Sequence, residues 1–255
     1  MEILYPVVIR TAFVSFRLLG LRFQMSGSER VPATGGAVLA INHVSYLDFV
    51  FAGYATWHSR RRLTRFMAKE SVFHHPVSGP LMRGMRHIPV DREAGSGSFR
   101  SAFRALKAGE LVGVFPEATI SRSFTVKEIK SGAVRLAASA KVPLLPVAVW
   151  GGQRLLTKGH RDLTRGRTIS VAVGEPVPPA GGGDEATRVL HERMQALLDD
   201  VQRAHPDTAF PGPDAWWLPR HLGGTAPTPA EAAELDRAEQ LQRVEKGKAR
   251  HSPSS

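Results

Sequence analysis

The chain has 255 residues and no cysteine, which excludes disulfides, a thiol nucleophile and thiolate-bound zinc. An apolar fraction of 42% against a charged fraction of 22% is that of a globular chain rather than a disordered one, long enough for one sizeable core with appendages. The formal net charge of +11 points to an anionic partner: nucleic acid, a membrane surface or a phosphorylated small molecule.

Residues 1–23, MEILYPVVIRTAFVSFRLLGLRF, are apolar but interrupted by Arg10, Arg17 and Arg22. Charge-free runs of about seven residues fall far short of the ~20 that span a bilayer, and no secretory pattern is clear. Two readings stay open. One is an interfacial helix lying among lipid headgroups on Phe13, Phe16, Leu18, Leu19, Leu21 and Phe23; the other is a helix packed on the protein's own core, its arginines snorkelling to water.

AVLAI (37–41), after Gly35–Gly36, reads as a buried strand, and Ser45 then begins a helix over about 46–57, with Ser45-x-x-Asp48 as a capping box. HSRRRLTRF (58–66) is the densest basic cluster, but it has no RRM, KH or helix-turn-helix context, so no nucleic-acid partner is expected. RFMAK (65–69) is a strand; 71–86 is a helix or loop broken by Pro76 and Pro80; HIPVDR (87–92) is a strand ending in charge. His74 and His75 have no ligand partner at helical spacing, and no metal is expected. GSGSF (95–99) lacks the Gly-Lys-Ser/Thr of a P-loop, and Ser96 starts a helix to Lys107 closed by Gly109.

LVGVF (111–115), VPLLPVAVWG (142–151) and TISVAVG (168–174) read as strands, SGAVRLAASA (131–140) as a helix, and Asp184 opens another helix to about Ala204. This alternation predicts an α/β fold: a single domain with a mixed, mostly parallel sheet flanked by helices. The organisation is an interfacial helix at 1–24, the α/β domain at 25–204, and a Pro/Gly-rich arm with a polar helical tail at 205–255. In the arm, Trp216–Trp217 either cover the core or anchor at a membrane interface. Thr228-Pro229-Ala230-Glu231 is a second capping box, opening a helix to about Lys246 too polar to build a core and therefore exposed or loosely docked.

The chemistry begins at INHVSYLDF (41–49). Five positions apart on a helix are roughly 140° apart, so His43 and Asp48 meet only if His43 lies in the turn before the helix and Asp48 folds back from its first turn. A carboxylate accepting one ring N–H fixes the tautomer and leaves the other nitrogen as a general base. No G-x-S-x-G elbow exists, so the nucleophile belongs to a substrate, such as a hydroxyl. From spacing alone, Asp48 as a mere helix-start carboxylate stays open. VFPEATISRS (114–123) follows a strand with a polar loop, where open α/β sheets bind ligands. There Arg122, with Lys127 and Lys130, is either a phosphate grip or a solvated basic turn. PVDR (89–92) delivers Arg92 from another strand end.

Taken in order, NHVSYLD (42–48), GMRHIPVDR (84–92), FPEATIS (115–121) and VPLLPVAVWG (142–151) resemble the four blocks of the PlsC-like glycerolipid acyltransferases, typified by 1-acylglycerol-3-phosphate O-acyltransferase. The likeness covers about residues 30–175. It implies transfer of a fatty acyl group from acyl-CoA or acyl carrier protein to the free hydroxyl of lysophosphatidate, in phospholipid synthesis. No metal, cofactor or covalent enzyme intermediate is implied. His43 is then the base and Asp48 its orienting partner, while Arg92 and the segment Glu117, Ala118, Thr119 bind the acceptor's glycerol phosphate. Asn42 and Ser121 fall inside the matching blocks. Two positions depart from the pattern: Ala118 replaces a glycine, and Ile120 replaces the phosphate-binding arginine. Arg122, helped by Arg92, Lys69 and Lys130, is expected to supply the missing charge; without it, the hydroxyl of another lysolipid or glycolipid becomes the acceptor. The partners implied are a lysophospholipid, an acyl donor and an anionic membrane surface, and the location is peripheral, on the cytoplasmic face of the cell membrane. A non-catalytic basic lipid-binding membrane protein is the rival from another class.

Overall fold

In the computed structural model, which describes residues 4–91, 96–179 and 183–251, the apolar runs become neighbours in one seven-stranded sheet. The strands are β1 (Arg22–Ser26), β2 (Ala37–Ile41), β3 (Thr64–Lys69), β4 (Ile88–Val90), β5 (Leu111–Val114), β6 (Leu144–Trp150) and β9 (Thr168–Val173), in the order β1-β9-β6-β2-β5-β3-β4. A short hairpin, β7 (Leu156–Thr157) and β8 (His160–Arg161), stands apart from it. From β6 to β4 the strands are parallel; β9 runs antiparallel to β6, and β1 runs with β9. The architecture is the mixed, mostly parallel α/β sheet expected.

Period-two alternation divides the core. On β2, Val38 and Ala40 face a cluster with α5 (Ser96–Lys107), α6 (Gly132–Ala140) and α7 (Asp184–Ala204). Ala37, Leu39 and Ile41 face the opposite cluster, with Phe51, Ala52 and Ala55 of α2 (Asp48–Arg60). All five residues of β2 are buried, which is why the strand reads as an unbroken apolar run.

Helix α1 (Leu4–Leu18) ends at Gly20, whose φ of 60° is left-handed, and the chain continues as edge strand β1. The apolar stretch is therefore shorter as a helix than the sequence suggested. Tyr5 and Ile9 are buried beside Met85, and the Tyr5 hydroxyl donates to Thr64 O at 2.7 Å, while Val7, Val14 and Leu18 stay exposed. Among the described residues, no helix is long and apolar enough to cross a membrane. Pro76 separates α3 (Glu70–His74) from α4 (Ser78–Gly84).

The arm after α7 packs down rather than hanging free: Ala215, Trp217, Leu218 and Ala226 join the larger core cluster. Trp217 is sandwiched near Trp150, and the Arg154 guanidinium lies 4.4 Å from its ring centroid. Of the two readings of the tryptophan pair, core cover is the one seen. The last helix, α8 (Pro229–His251), opens with the expected capping box: Thr228 N–H donates to Glu231 Oε2 at 2.8 Å, and Glu231 N–H donates to Thr228 Oγ1 at 3.3 Å.

Candidate active site

The carboxyl ends of the parallel strands converge on one edge. β2 delivers Asn42–Ser45, β5 delivers Phe115–Glu117, β3 ends at Lys69, and β6 delivers Gly151–Gln153. The turn after β2 is pinned from three sides. The Asn42 carboxamide acts as one more rung of the sheet: its Oδ1 accepts from Val149 N–H at 2.7 Å and its Nδ2 donates to Val149 O at 3.1 Å. Ser45 Oγ donates to Leu156 O, and Thr157 Oγ1 donates to Val44 O, both at 2.7 Å. Gly152 lets β6 come close: a Cβ there would lie 2.9 Å from the Phe51 ring and 3.2 Å from Ser45 Oγ.

In this turn His43 Nδ1 lies 3.1 Å from Asp48 Oδ2. Asp48 is the first residue of α2 and folds back, so the five-residue gap is bridged as the turn-then-helix geometry requires. The same Oδ2 accepts the amides of Val44 and Ser45, each at 2.7 Å. The capping role and the histidine-orienting role thus coexist in one oxygen. Asp48 is fully buried, and burial raises its carboxyl above the usual range; the His43 ring and the Ser45 and Val44 amides oppose this by favouring the anion. The His43 ring keeps 22% of its side-chain surface open and lies over Phe115, centroids 4.4 Å apart. With Nδ1–H donating to Asp48, Nε2 carries the free lone pair.

Glu117 has a different environment from its expected one. Its Oε1 accepts His43 N–H at 2.8 Å and its Oε2 accepts Lys127 N–H at 3.0 Å, and the side chain is buried. Glu117 clasps two backbone segments. Burial pushes its carboxyl up to about 8 against the pull of the two amides. Ser121 is also buried, its N–H donating to His43 O at 2.7 Å and its Oγ to Thr125 O at 2.7 Å. Ala118 takes a left-handed φ of 60°, and Thr119 is half-buried. Ile120 is 3% exposed, inside the protein and not on the site's surface.

Of the predicted cations, Lys69 and Lys130 are exposed, Lys69 pairing in register with Val90 at the end of β4, and Arg92 lies outside the described residues. Arg122 is engaged by α8: its Nε donates to Asp236 Oδ1 at 3.2 Å and its Nη2 to Glu239 Oε2 at 3.0 Å. Lys158 joins the same pair of carboxylates, a contact that the sequence reading missed because the residue lies in a hairpin with no motif around it. Phe115 was missed too, although its place beside Pro116 at a strand end was visible.

Comparison with known proteins identifies the family and the fold. The profile of the family described as Acyltransferase matches residues 22–150, which spans the sheet from β1 to β6 and every residue of the His43 turn. The 1-acyl-sn-glycerol-3-phosphate acyltransferase of Bacillus subtilis (strain 168) is 31% identical over 192 residues, covering 73% of this chain and 94% of its own. The chloroplastic 1-acyl-sn-glycerol-3-phosphate acyltransferase LPAT1 of Arabidopsis thaliana is 26% identical, covering 71% of this chain but 49% of its own, so this chain spans about half of that longer relative. Among solved structures, the 1-acyl-sn-glycerophosphate (LPA) acyltransferase PlsC of Thermotoga maritima superposes with a TM-score of 0.64 at 25% identity, covering 78% of this chain and 80% of its own. With a matched profile over half its length, a matched sheet, and a histidine held by a carboxylate where four ordered blocks put it, the chain belongs to the acyltransferase family, in its PlsC-like branch.

Proposed function

We propose that this enzyme acylates the free hydroxyl of lysophosphatidate, 1-acylglycerol 3-phosphate, using a fatty acyl thioester of CoA or acyl carrier protein at an anionic membrane surface. The observation that carries the reading is the 3.1 Å contact between His43 Nδ1 and Asp48 Oδ2, with the ring open to solvent at the carboxyl edge of the sheet. The relatives' names support the acceptor, and the charge of +11 supports both the phosphates and the surface.

The acceptor hydroxyl gives its proton to His43 Nε2 as its oxygen attacks the thioester carbonyl carbon. The imidazolium is stabilised by the buried Asp48 carboxylate, whose Oδ1 has no donor among the described residues. The C–S bond then breaks, the thiolate takes the proton back, and the products are an ester and a free thiol. A thioester is already activated, so a base and correct alignment provide much of what is needed.

Thiol release from acyl-CoA in the presence of lysophosphatidate, followed in the full chain, tests this. His43→Ala should lower kcat by roughly 10²–10⁴-fold with the fold intact by circular dichroism. Asp48→Asn should reduce kcat with a smaller change in the acceptor's KM. Wild-type turnover in His43→Ala would rule out the assignment, and turnover only with acceptors lacking the phosphate would move it to another lipid hydroxyl.

A further inference from the structure

Helix α8 turns two of its acids, Asp236 and Glu239, inward and its leucines outward. Ala232, Asp236 and Glu239 are spaced by four and three, so they share one face. Ala232 is buried and the two acids are half-buried, whereas Leu235, Leu241 and Val244 are exposed. A helix docked through its polar face gains little from hydrophobic burial; charge must hold it.

The charges are specific. Asp236 Oδ1 accepts from Arg122 Nε at 3.2 Å and from Lys158 Nζ at 2.8 Å, and Oδ2 accepts from Lys127 Nζ at 2.5 Å. Glu239 Oε2 accepts from Arg122 Nη2 at 3.0 Å and lies 3.2 Å from Lys158 Nζ. The Lys158 side chain is 11% exposed, too enclosed for an ordinary surface ion pair.

These cations come from two separate loops, and each sits beside the catalytic turn. Arg122 follows Ser121, whose N–H donates to His43 O. The Lys127 N–H donates to Glu117, which also accepts the His43 N–H. Lys158 follows Thr157, whose hydroxyl donates to Val44 O. Three convergent cations are the equipment of a phosphate site. Two carboxylates match the charge of roughly −1.5 to −2 that a phosphate monoester carries at pH 7.

We propose that Arg122, Lys127 and Lys158 form a phosphate-binding site beside His43, and that Asp236 and Glu239 occupy it in place of phosphate, so that α8 must let go before a phosphate-bearing substrate binds. The proposal rests on the acyltransferase reading above and adds to it both the site's missing cations and a built-in competitor. The phosphate belongs either to the acceptor headgroup or to the acyl donor.

Three full-length proteins separate the possibilities: wild type, D236N/E239Q, and the control E234Q/E245Q, which removes equal charge from exposed positions on α8. In D236N/E239Q the KM for lysophosphatidate should fall roughly tenfold, within the 5–150-fold range usual for coupled sites, with kcat little changed and the control like wild type. A fall in the KM for acyl-CoA instead assigns the site to the donor's phosphates. Unchanged KM for both, or an equal fall in the control, overturns the proposal. A second readout needs no turnover: inorganic pyrophosphate should raise the thermal midpoint of D236N/E239Q more than that of wild type, and adding K158Q should abolish the difference. Equal shifts overturn the masked site. If wild type fails to turn over lysophosphatidate yet the pyrophosphate shifts differ, the acceptor assignment fails and the masked site stands.

Discussion

At position 118 the backbone is left-handed, φ 60°, and the residue is alanine. An L side chain there costs about 1–2 kcal/mol, which accounts for the glycine in the family pattern, since glycine takes this conformation freely. Ala118→Gly should relieve that strain, offset partly by about 0.4–1 kcal/mol of extra freedom in the unfolded chain. The net expectation is a gain of up to ~1.6 kcal/mol, read as a higher urea midpoint; a lower midpoint would mean that the methyl group packs well enough to outweigh the strain. Ile120 departs from the pattern in another way. It is buried, so it adds nothing to an anion site, and the nearest cation along the loop, Arg122, points to α8 instead. The His43–Asp48 pair was legible because turn-then-helix is the one local geometry that closes a five-residue gap. The partner of Arg122 was not legible, since it lies more than a hundred residues away in a helix with no motif.

The end of β2 shows how an element positions chemistry. Backbone pairing with β6 runs through Ile41 and Val147, and the Asn42 side chain then takes over both polar groups of Val149. Asn42→Ala would leave a buried N–H and a buried C=O unpaired, at about 1–3 kcal/mol each. Roughly 2–6 kcal/mol of stability should be lost, with kcat falling because His43 is the next residue. A urea midpoint within error of wild type would show that water replaces the carboxamide. The central strands were readable from sequence because burial on both faces makes them continuous apolar runs. β1 was not, although RFQMS alternates exposed with half-buried residues, because the apolar helix before it seemed to run on. Helix α8 was found from its capping box and expected to be exposed or loosely docked, but the ion pairs that dock it were not foreseen: polarity predicts a solvated helix unless the receiving surface carries opposite charge, and that surface is assembled from two loops distant in sequence.

For the whole molecule, two buried groups, Glu117 in the site and His205 just after α7, give stability a definite pH profile. Glu117 has a folded value of about 8 against an ordinary 4.5, raised by burial. The folded state therefore binds its proton more tightly, so its contribution is complete below 4.5 and is lost as pH rises through 8. Asp48, also raised by burial, acts in the same direction. His205 is the reverse. It is buried with Nδ1 2.9 Å from Ser170 Oγ, and burial lowers it to about 4 from 6.5. Its contribution is present above 6.5 and is lost as pH falls through 4. Between 4.5 and 6.5 the slopes of Glu117 and Asp48 oppose that of His205; from 6.5 to 8 the carboxyl slope stands alone, and just above 4 the histidine slope is met by that of Asp48. Urea midpoints measured from pH 4 to 8.5 should therefore fall most clearly between 6.5 and 8, with a flatter course at the acid end. Glu117→Gln should lower the midpoint overall, because its amide cannot accept both backbone N–H groups, yet it should shrink the decline between 6.5 and 8. His205→Gln should remove the opposing slope between 4 and 6.5, so that the midpoint declines with pH there as well, and leave the limb between 6.5 and 8 alone. An alkaline decline undiminished in Glu117→Gln would mean that the clasp on His43 and Lys127 holds an ionised carboxylate throughout. Glu117 would then place a permanent negative charge beside His43.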